Sequence, residues 1–238
     1  MKKIALMFAV ICSAMLTFAA EAPAQKTTVR NPSVVIPQPD PLDRWSIFQI
    51  GLFPNIPQNT VTSNVYGVKC GLMVDGYGRV FGAEASWLYS GTCYIYGVQG
   101  SWVSCYNREF DGIQAAFACC FNRNRFNGVQ ASLGLCVAGD FQGLEASALN
   151  ISGNVTGLQA AAICNVTDDV TGFQAAVICN RTGDVTGFQT SLVNVAEKSR
   201  ALQVGLINVA KKGGFQFGLI NYIEDGVIPF FPFINFQF

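Results

Sequence analysis

Hydrophobic and polar positions alternate with a period of two along most of the chain, in short runs separated by turn-forming residues. The segments 187–194 (GFQTSLVN) and 214–221 (GFQFGLIN) show this alternation. A period of two is typical of a β-strand with one apolar face. Clusters such as 180–184 (NRTGD) and 211–214 (KKGG) contain the residues that favour turns. The pattern therefore predicts an all-β protein, built from units of about ten strand residues and about five turn residues.

One sequence unit recurs eleven times, with steps of 13 to 16 residues. Each unit contains a polar residue, here called the slot residue, two positions after a glycine, and an apolar residue lies between them. In one unit Ala201 replaces the glycine. Such self-similarity is the signature of a tandem-repeat architecture. The slot residues are Lys69, Glu84, Gln99, Gln114, Gln130, Glu145, Gln159, Gln174, Gln189, Gln203 and Gln216.

Two architectures are compatible with one strand per repeat. The first is an antiparallel meander closed into a β-barrel of about 12–14 strands. The second is a β-solenoid, in which each unit forms one coil and equivalent residues stack, as the related positions of Asn165, Asn180 and Asn194 suggest. However, a ten-residue strand leaves only about five residues to return to the start of the next coil, and the alternation shows no corners. The sequence therefore favours the barrel, with the solenoid as the alternative.

Two cysteines distinguish these architectures. Cys164 and Cys179 each stand five residues after a slot residue, in consecutive units. In a solenoid their Cα atoms would be about 4.8 Å apart, within the range of a disulfide, whereas in an antiparallel meander their sulfur atoms would be more than about 10 Å apart. Because we favour the barrel, we expect no Cys164–Cys179 disulfide. The cysteines are expected mainly to pack as small apolar residues, and the alternative is at least one disulfide.

The two ends of the chain suggest export. Lys2 and Lys3 precede an apolar run and an A-x-A site ending at Ala24, which predicts a bacterial secretory signal peptide over 1–24. Residues 25–44 are rich in proline and predict an extended linker, so the repeat β domain comprises 45–238. The terminal aromatic pattern of Ile234, Phe236 and Phe238 resembles the C-terminal assembly signal of bacterial outer-membrane barrels. The alternative interpretation is an ordinary hydrophobic closing strand.

Composition excludes several classes of function. Only 13% of the residues are charged and the net charge is zero, so no basic surface is available to bind nucleic acid. The chain contains no histidine, which excludes Ser-His-Asp and Cys-His catalysis, and it contains no C-x-x-C motif for a zinc or redox site. We therefore predict no enzymatic activity and no catalytic, cofactor-binding or metal-binding residue.

Two groups of residues allow two interpretations each. The charged slot residues Lys69, Glu84 and Glu145 could form a charged site inside a barrel lumen. The sequence favours the alternative, in which different polar residues replace one another at a position that tolerates any of them. The aromatic residues could form an interfacial girdle or could pack as ordinary strand residues. These aromatic residues are Trp45, Trp87, Tyr89, Tyr94, Tyr96 and Trp102.

Several segments resemble a known group of repeat proteins. The segments GLQAAAICN (157–165), GFQAAVICN (172–180), LQVGLINVAKKGGFQFGLINYI (202–223) and PFINFQF (232–238) are similar to the tandem G-V-Q-h-G-h-h-N units of the Leptospira-type surface-repeat family, which is also common in Bacteroidetes. The resemblance extends over roughly residues 45–238. It implies a surface or outer-membrane protein behind a signal peptide, and it provides no functional residue to transfer.

These observations lead to one main functional prediction and two alternatives. The main prediction is a non-enzymatic repeat protein of the bacterial outer membrane or cell surface, with a structural or interaction role. Its expected partners are the outer membrane and the barrel-assembly machinery, and nucleic acid is not among them. The first alternative is a soluble β-solenoid binding module that is periplasmic or secreted. The second is a small porin-like channel.

Overall fold

The structure, a computed structural model, describes residues 45–54, 56 and 59–237. The predicted signal peptide, the predicted linker and Phe238 lie outside these residues. The described part of the chain contains a four-residue helix, α1 (Asn59–Thr62), and ten β-strands. The strands are β1 (Trp45–Gly51), β2 (Asn64–Ser101), β3 (Ser104–Ala116), β4 (Cys119–Ser132), β5 (Leu135–Ala176), β6 (Cys179–Thr190), β7 (Val193–Val204), β8 (Ile207–Lys212), β9 (Gly214–Ile223) and β10 (Phe230–Gln237).

Successive strands stack in parallel and in the register of the sequence repeat. The strand order is the chain order from β1 to β10, and every pairing from β1 to β9 is parallel. Gln114 of β3 pairs with Gln99 of β2 on one side and with Gln130 of β4 on the other. Equivalent residues of consecutive repeats therefore lie one above the other. The fold is a β-solenoid of about 12 turns.

The prediction of an all-β tandem-repeat protein is confirmed, but the prediction of a barrel of 12–14 strands is wrong. An antiparallel meander requires neighbouring strands to run in opposite directions. Among the described strands, only β9 and β10 do so. The solenoid that the sequence offered as the alternative is the architecture found.

The prediction of a barrel treats the repeat as one straight strand, whereas the chain turns within the coil. In the coil that contains Gln174, the first turn is at Gly172, whose φ of 136° is accessible to glycine but rarely to other residues. The second is a bend at 177–178. The third is at Gly183, which the register of the β5–β6 pairing skips. With three short sides, fifteen residues are enough to close a coil.

The glycine two positions before the slot residue also allows the coils to approach closely. A Cβ atom on Gly172 would lie 2.1 Å from the carbonyl oxygen of Gly157 in the preceding coil. Nine of the eleven units have a glycine with positive φ between 127° and 151° at this position, and Gly214 has a φ of 97°. The recurrent glycine is therefore a requirement of the corner and of the stacking distance.

A hydrophobic column occupies one part of the interior. It is formed by the residue four positions before each of the first nine slot residues. Phe110, Phe126 and Phe141 stack there with nearly parallel rings, and their centroids are 5.0 and 5.2 Å apart. Aliphatic residues continue the column in both directions, namely Val65, Val80, Ile95, Val155, Val170 and Val185. Burial of these side chains is the main apolar contribution to stability.

The last strand ends the stack by reversing direction. β10 pairs antiparallel with β9, from Phe230 opposite Tyr222 to Gln237 opposite Gly214. Ile234 and Phe236, which belong to the predicted assembly signal, are 40% and 60% exposed on this strand. Their role in assembly stays a prediction, because Phe238 lies outside the described residues.

Candidate interaction surface

All eleven slot residues lie in the interior, where they form a continuous column, here called the slot column. Each is at most 2% exposed. Gln49 of β1 adds a twelfth member, since it pairs with Lys69 and is 8% exposed. Sequence reasoning missed Gln49 because twenty residues, rather than about fifteen, separate it from Lys69.

Hydrogen bonds between neighbouring coils satisfy most of the buried amide groups of the slot column. The Nε2 atom of Gln189 donates to Oε1 of Gln174 at 2.8 Å, and Nε2 of Gln174 donates to Oε1 of Gln159 at 2.8 Å. A second polar column, eight residues after the slot, supports them: Thr182 donates to Oε1 of Gln174 and accepts from Nε2 of Gln189. A buried amide is costly unless it is hydrogen-bonded, so this column depends on parallel stacking.

An asparagine column runs beside the slot column in the C-terminal half. In Asn165, Asn180 and Asn194, each Nδ2 donates to Oδ1 of the asparagine in the next coil, at 2.8–3.0 Å. The donation runs towards the C-terminus, whereas in the glutamines of the slot column it runs towards the N-terminus. The full column consists of Asn150, Asn165, Asn180, Asn194, Asn208 and Asn221.

The charged slot residues Lys69 and Glu84 form a buried ion pair. The Nζ atom of Lys69 lies 3.8 Å from Oε2 of Glu84 and donates to Oγ1 of Thr92 at 2.8 Å. Glu84 also accepts from Thr92 and from Nε2 of Gln99. Burial lowers the pKa of Lys69, and the charge of Glu84 opposes that shift. These side chains are hydrogen-bonded to the stack and inaccessible to a large ligand.

Glu145 is buried without a cationic partner. Its Oε2 accepts from Nε2 of Gln159 at 2.8 Å and from Oγ of Ser152 at 2.9 Å. Burial raises the pKa of Glu145 to about 7, and these two hydrogen bonds oppose the shift only in part. Glu145 therefore titrates near neutral pH inside the stack.

The cysteines correct a further prediction. Cys164 and Cys179 form a disulfide between consecutive coils, with a Cα–Cα distance of 4.8 Å, so the expectation that they would be far apart is wrong. The reason is the parallel register, which pairs Cys164 of β5 directly with Cys179 of β6. Cys105, Cys120 and Cys136 stack in the interior as free thiols, at the position that asparagine occupies in later coils.

Because the polar slot residues face inward, the apolar residues beside them face outward. We define the apolar face as the residues one before, one after and three after each slot residue. The first column consists of Val68, Ala83, Val98, Ile113, Val129, Leu144, Leu158, Phe173, Phe188, Leu202 and Phe215. The middle column consists of Cys70, Ala85, Gly100, Ala115, Ala131, Ala146, Ala160, Ala175, Thr190, Val204 and Phe217. The third column consists of Leu72, Trp87, Trp102, Phe117, Leu133, Ala148, Ala162, Val177, Leu192, Leu206 and Leu219.

The apolar face is exposed along the whole stack. In the third column Trp87, Leu133 and Val177 are 66%, 68% and 63% exposed. None of the 33 residues of the face is charged. Monomeric proteins rarely expose a contiguous apolar patch larger than about 600 Å². A surface of this length and composition is therefore a candidate interaction site.

Charged side chains lie on the other sides of the coil. Arg125 pairs with Asp111 at 3.2 Å, and Lys198 pairs with Asp184 at 3.3 Å, between side chains of neighbouring coils. These pairs are solvent-exposed and contribute little to stability. The charged side chains of the coils therefore lie outside the apolar face.

The aromatic residues of the predicted girdle occupy outward columns in the N-terminal half. Trp87 stacks on Trp102 with a centroid distance of 6.3 Å, and Trp102 contacts Phe117 at 6.0 Å, both within the apolar face. Tyr96 belongs to another column, in which it stacks on Phe81 at 5.0 Å. Trp45 is 65% exposed on β1, while Tyr89 and Tyr94 are partly buried. Trp87 and Trp102 thus form part of the apolar face, and Trp45 does not.

Comparison with known proteins adds no family to these observations. No family model matches the chain, and neither a curated protein nor a solved structure matches it. The resemblance to the surface-repeat family stays a prediction.

The described residues lack two features that would suggest other kinds of site. Within residues 45–54, 56 and 59–237, no helix is both long and apolar enough to span a membrane. In the same part of the chain, no three cysteine or carboxylate side chains are grouped so that they could hold a metal ion.

Sequence reasoning located the residues of this face but not their role. The apolar residue between the glycine and the slot residue was recognised, yet the barrel interpretation implied a lipid-facing side. The signal that identifies the face is its lack of charge. From one position before the slot to four positions after it, the only charged residues in eleven units are the inward-facing Lys69, Glu84 and Glu145.

Proposed function

We propose that this protein is an exported, non-enzymatic β-solenoid that acts as an interaction module, with the apolar face as its binding surface. The observation that carries the proposal is the charge-free, exposed apolar surface over eleven consecutive coils. A protein interior rather than a surface normally has this composition.

The interior of the solenoid supports a scaffolding role for the repeat. Gln174, Gln189 and their equivalents are fully buried and hydrogen-bonded along the stack. They hold the coils in register and leave the outward positions free to vary. Binding sites on solenoids commonly occupy such extended surfaces. Export and a location at the cell surface belong to this proposal through the predicted signal peptide.

Site-specific photocrosslinking in the exporting cell tests this function. Leu192 on the apolar face and Thr186 on another side of the same coil would each be replaced by benzoylphenylalanine, in the full chain. Both positions are exposed. We expect discrete covalent adducts from position 192 and none from position 186.

A further substitution controls for non-specific reaction. Val177→Glu, in the neighbouring coil of the same column, should abolish the adducts from position 192, whereas Thr171→Glu should leave them unchanged. The absence of adducts from position 192, or equal adducts from both positions, would contradict a role for the apolar face in binding.

A further inference from the structure

Resting on the proposed function, we propose that the partner of the apolar face is the apolar face of a second copy of this chain, so that the protein forms a side-by-side homodimer of solenoids. Three features of the face support this partner: its area, the arrangement of large and small side chains on it, and the spacing between its coils.

The area of the face is sufficient for a stable dimer. Neighbouring coils are 4.8 Å apart at Cys164 and Cys179, and eleven coils with this spacing extend for about 48 Å. The first and third columns are four residues apart along the strand, which corresponds to about 13 Å. With the width of the side chains, each copy would bury on the order of 700–800 Å². A standard specific interface buries about 800 Å² per partner.

The relief of the face is self-complementary. Seven consecutive coils, from Ala85 to Ala175, carry only alanine or glycine in the middle column, and larger residues flank it on one or both sides. A two-fold axis parallel to the stack reverses the order of the columns in the second copy. With the middle columns facing each other, the third column of each copy lies over the first column of the other, so that Trp87 lies over Ala83. The small residues of the middle columns let the two copies approach closely. This arrangement is an isologous contact.

The repeat distance of the two faces matches along their whole length. Side chains on each copy recur at the same strand spacing of about 4.8 Å, so a good fit at one coil is repeated at the others. An unrelated protein surface has no reason to share this period. No charge lies within the face, so dimer formation leaves no unpaired buried ion on it.

Sedimentation velocity and light scattering of the exported full chain, purified without detergent, test the proposal. Over a concentration series we expect a species with twice the mass of the chain. The double variant Leu133→Glu with Val177→Glu should raise the dissociation constant of the dimer by at least about 100-fold, because it places four carboxylates in the interface. The matched control, Thr156→Glu with Thr171→Glu, adds the same charge at exposed positions on another side and should leave the constant unchanged.

Folding and the identity of the partner are measured in the same samples. Each variant should retain the β-sheet circular dichroism spectrum and the Cys164–Cys179 disulfide, which shows that the stack is intact. A wild-type protein that stays monomeric at all concentrations overturns the homodimer, as does a dimer that survives the Leu133→Glu and Val177→Glu variant.

Binding to vesicles of neutral phosphatidylcholine distinguishes a failure of the homodimer from a failure of the apolar face as a binding surface. If the wild-type protein is monomeric but binds these vesicles, and the Leu133→Glu and Val177→Glu variant does not, the homodimer is overturned while the apolar face remains a binding surface. If position 192 forms adducts in the cell only with other proteins, the same conclusion follows. An adduct of twice the mass of the chain supports the homodimer.

Discussion

Gln189 donates a hydrogen bond of 2.8 Å from Nε2 to Oε1 of Gln174, the residue directly beneath it in the preceding coil. The two residues are fifteen positions apart in sequence and fully buried. This contact explains why the repeat retains glutamine at the slot: the amide supplies one donor and one acceptor along the axis of the stack. A residue without both groups interrupts the chain of amide hydrogen bonds along the column.

We therefore expect Gln174→Ala to lower the free energy of unfolding by about 3 kcal/mol, because it deprives Gln189 and Thr182 of a buried partner and leaves a cavity. Urea denaturation of the full chain measures the change. Gln142→Ala, which removes an exposed amide three residues before a slot, should change the free energy by less than about 0.5 kcal/mol. Equal effects of the two substitutions would show that the buried amide contacts do not stabilise the stack.

The corner glycines provide a second prediction. Gly187 has a φ of 127°, and a Cβ atom there would lie 2.1 Å from the carbonyl oxygen of Gly172. Gly187→Ala should therefore cost about 3 kcal/mol or more, through backbone strain and displacement of the neighbouring coil. Gly100→Ala is the matched control, because the nearest atom to its Cβ would be 4.0 Å away and its φ is not positive. We expect Gly100→Ala to change stability by less than about 1 kcal/mol.

The disulfide provides a third prediction. Cys164 and Cys179 are fifteen residues apart in the sequence. In the chain-entropy description, a disulfide that closes a loop of this length stabilises the folded state by about 3 kcal/mol. Cys164→Ala should lower the free energy of unfolding by about this amount. Cys119→Ala, at the equivalent position of an earlier coil, removes a free thiol and should have a smaller effect.

Peptide mapping of the protein under non-reducing conditions checks the pairing itself. We expect one peptide pair linked through Cys164 and Cys179, and free thiols at Cys105, Cys120 and Cys136. Recovery of Cys164 and Cys179 as separate free thiols from the folded, air-oxidised protein would contradict the parallel register at these coils.

The repeat and the strands could be predicted from the sequence, but the direction of the strands could not. A period of two shows that residues alternate between two faces, and it is the same in parallel and antiparallel sheets. The decisive information lies in Gly172 and its equivalents. They were recognised as part of the repeat, but the positive φ that makes each a corner is a property of the folded backbone.

The complete burial of the slot residues could not be predicted for a related reason. A buried glutamine is unfavourable when considered alone, because its amide loses hydrogen bonds to water. It becomes favourable once Gln159, Gln174 and Gln189 lie in register and bond to one another. The burial of each slot residue therefore depends on its neighbours in other coils, which a local pattern does not contain. The apolar face follows from the same arrangement, since the side chains beside a buried slot must point outward.

The last prediction concerns pH and the single uncompensated carboxyl of the slot column. Burial raises the pKa of Glu145 from 4.5 to about 7 in the folded protein, while the unfolded chain retains the lower value. Between these two pH values the folded state binds more protons than the unfolded state, so the contribution of Glu145 to stability falls as the pH rises from 4.5 to about 7. Below 4.5 and above about 7 the contribution is level. The difference between the two levels is about 3 kcal/mol.

Glu145→Gln isolates this contribution because it places the usual slot residue in the column. We expect the variant to be more stable than the wild-type protein at pH 8, and this advantage to shrink as the pH falls through the window from 7 to 4.5. Glu197→Gln, which removes an exposed carboxylate paired with Lys211, is the control and should change the free energy of unfolding by less than about 0.5 kcal/mol. Urea denaturation of the three proteins at pH 4.5, 6 and 8 measures the effect. A difference between wild type and Glu145→Gln that does not change with pH would mean that Glu145 is not protonated in the folded stack.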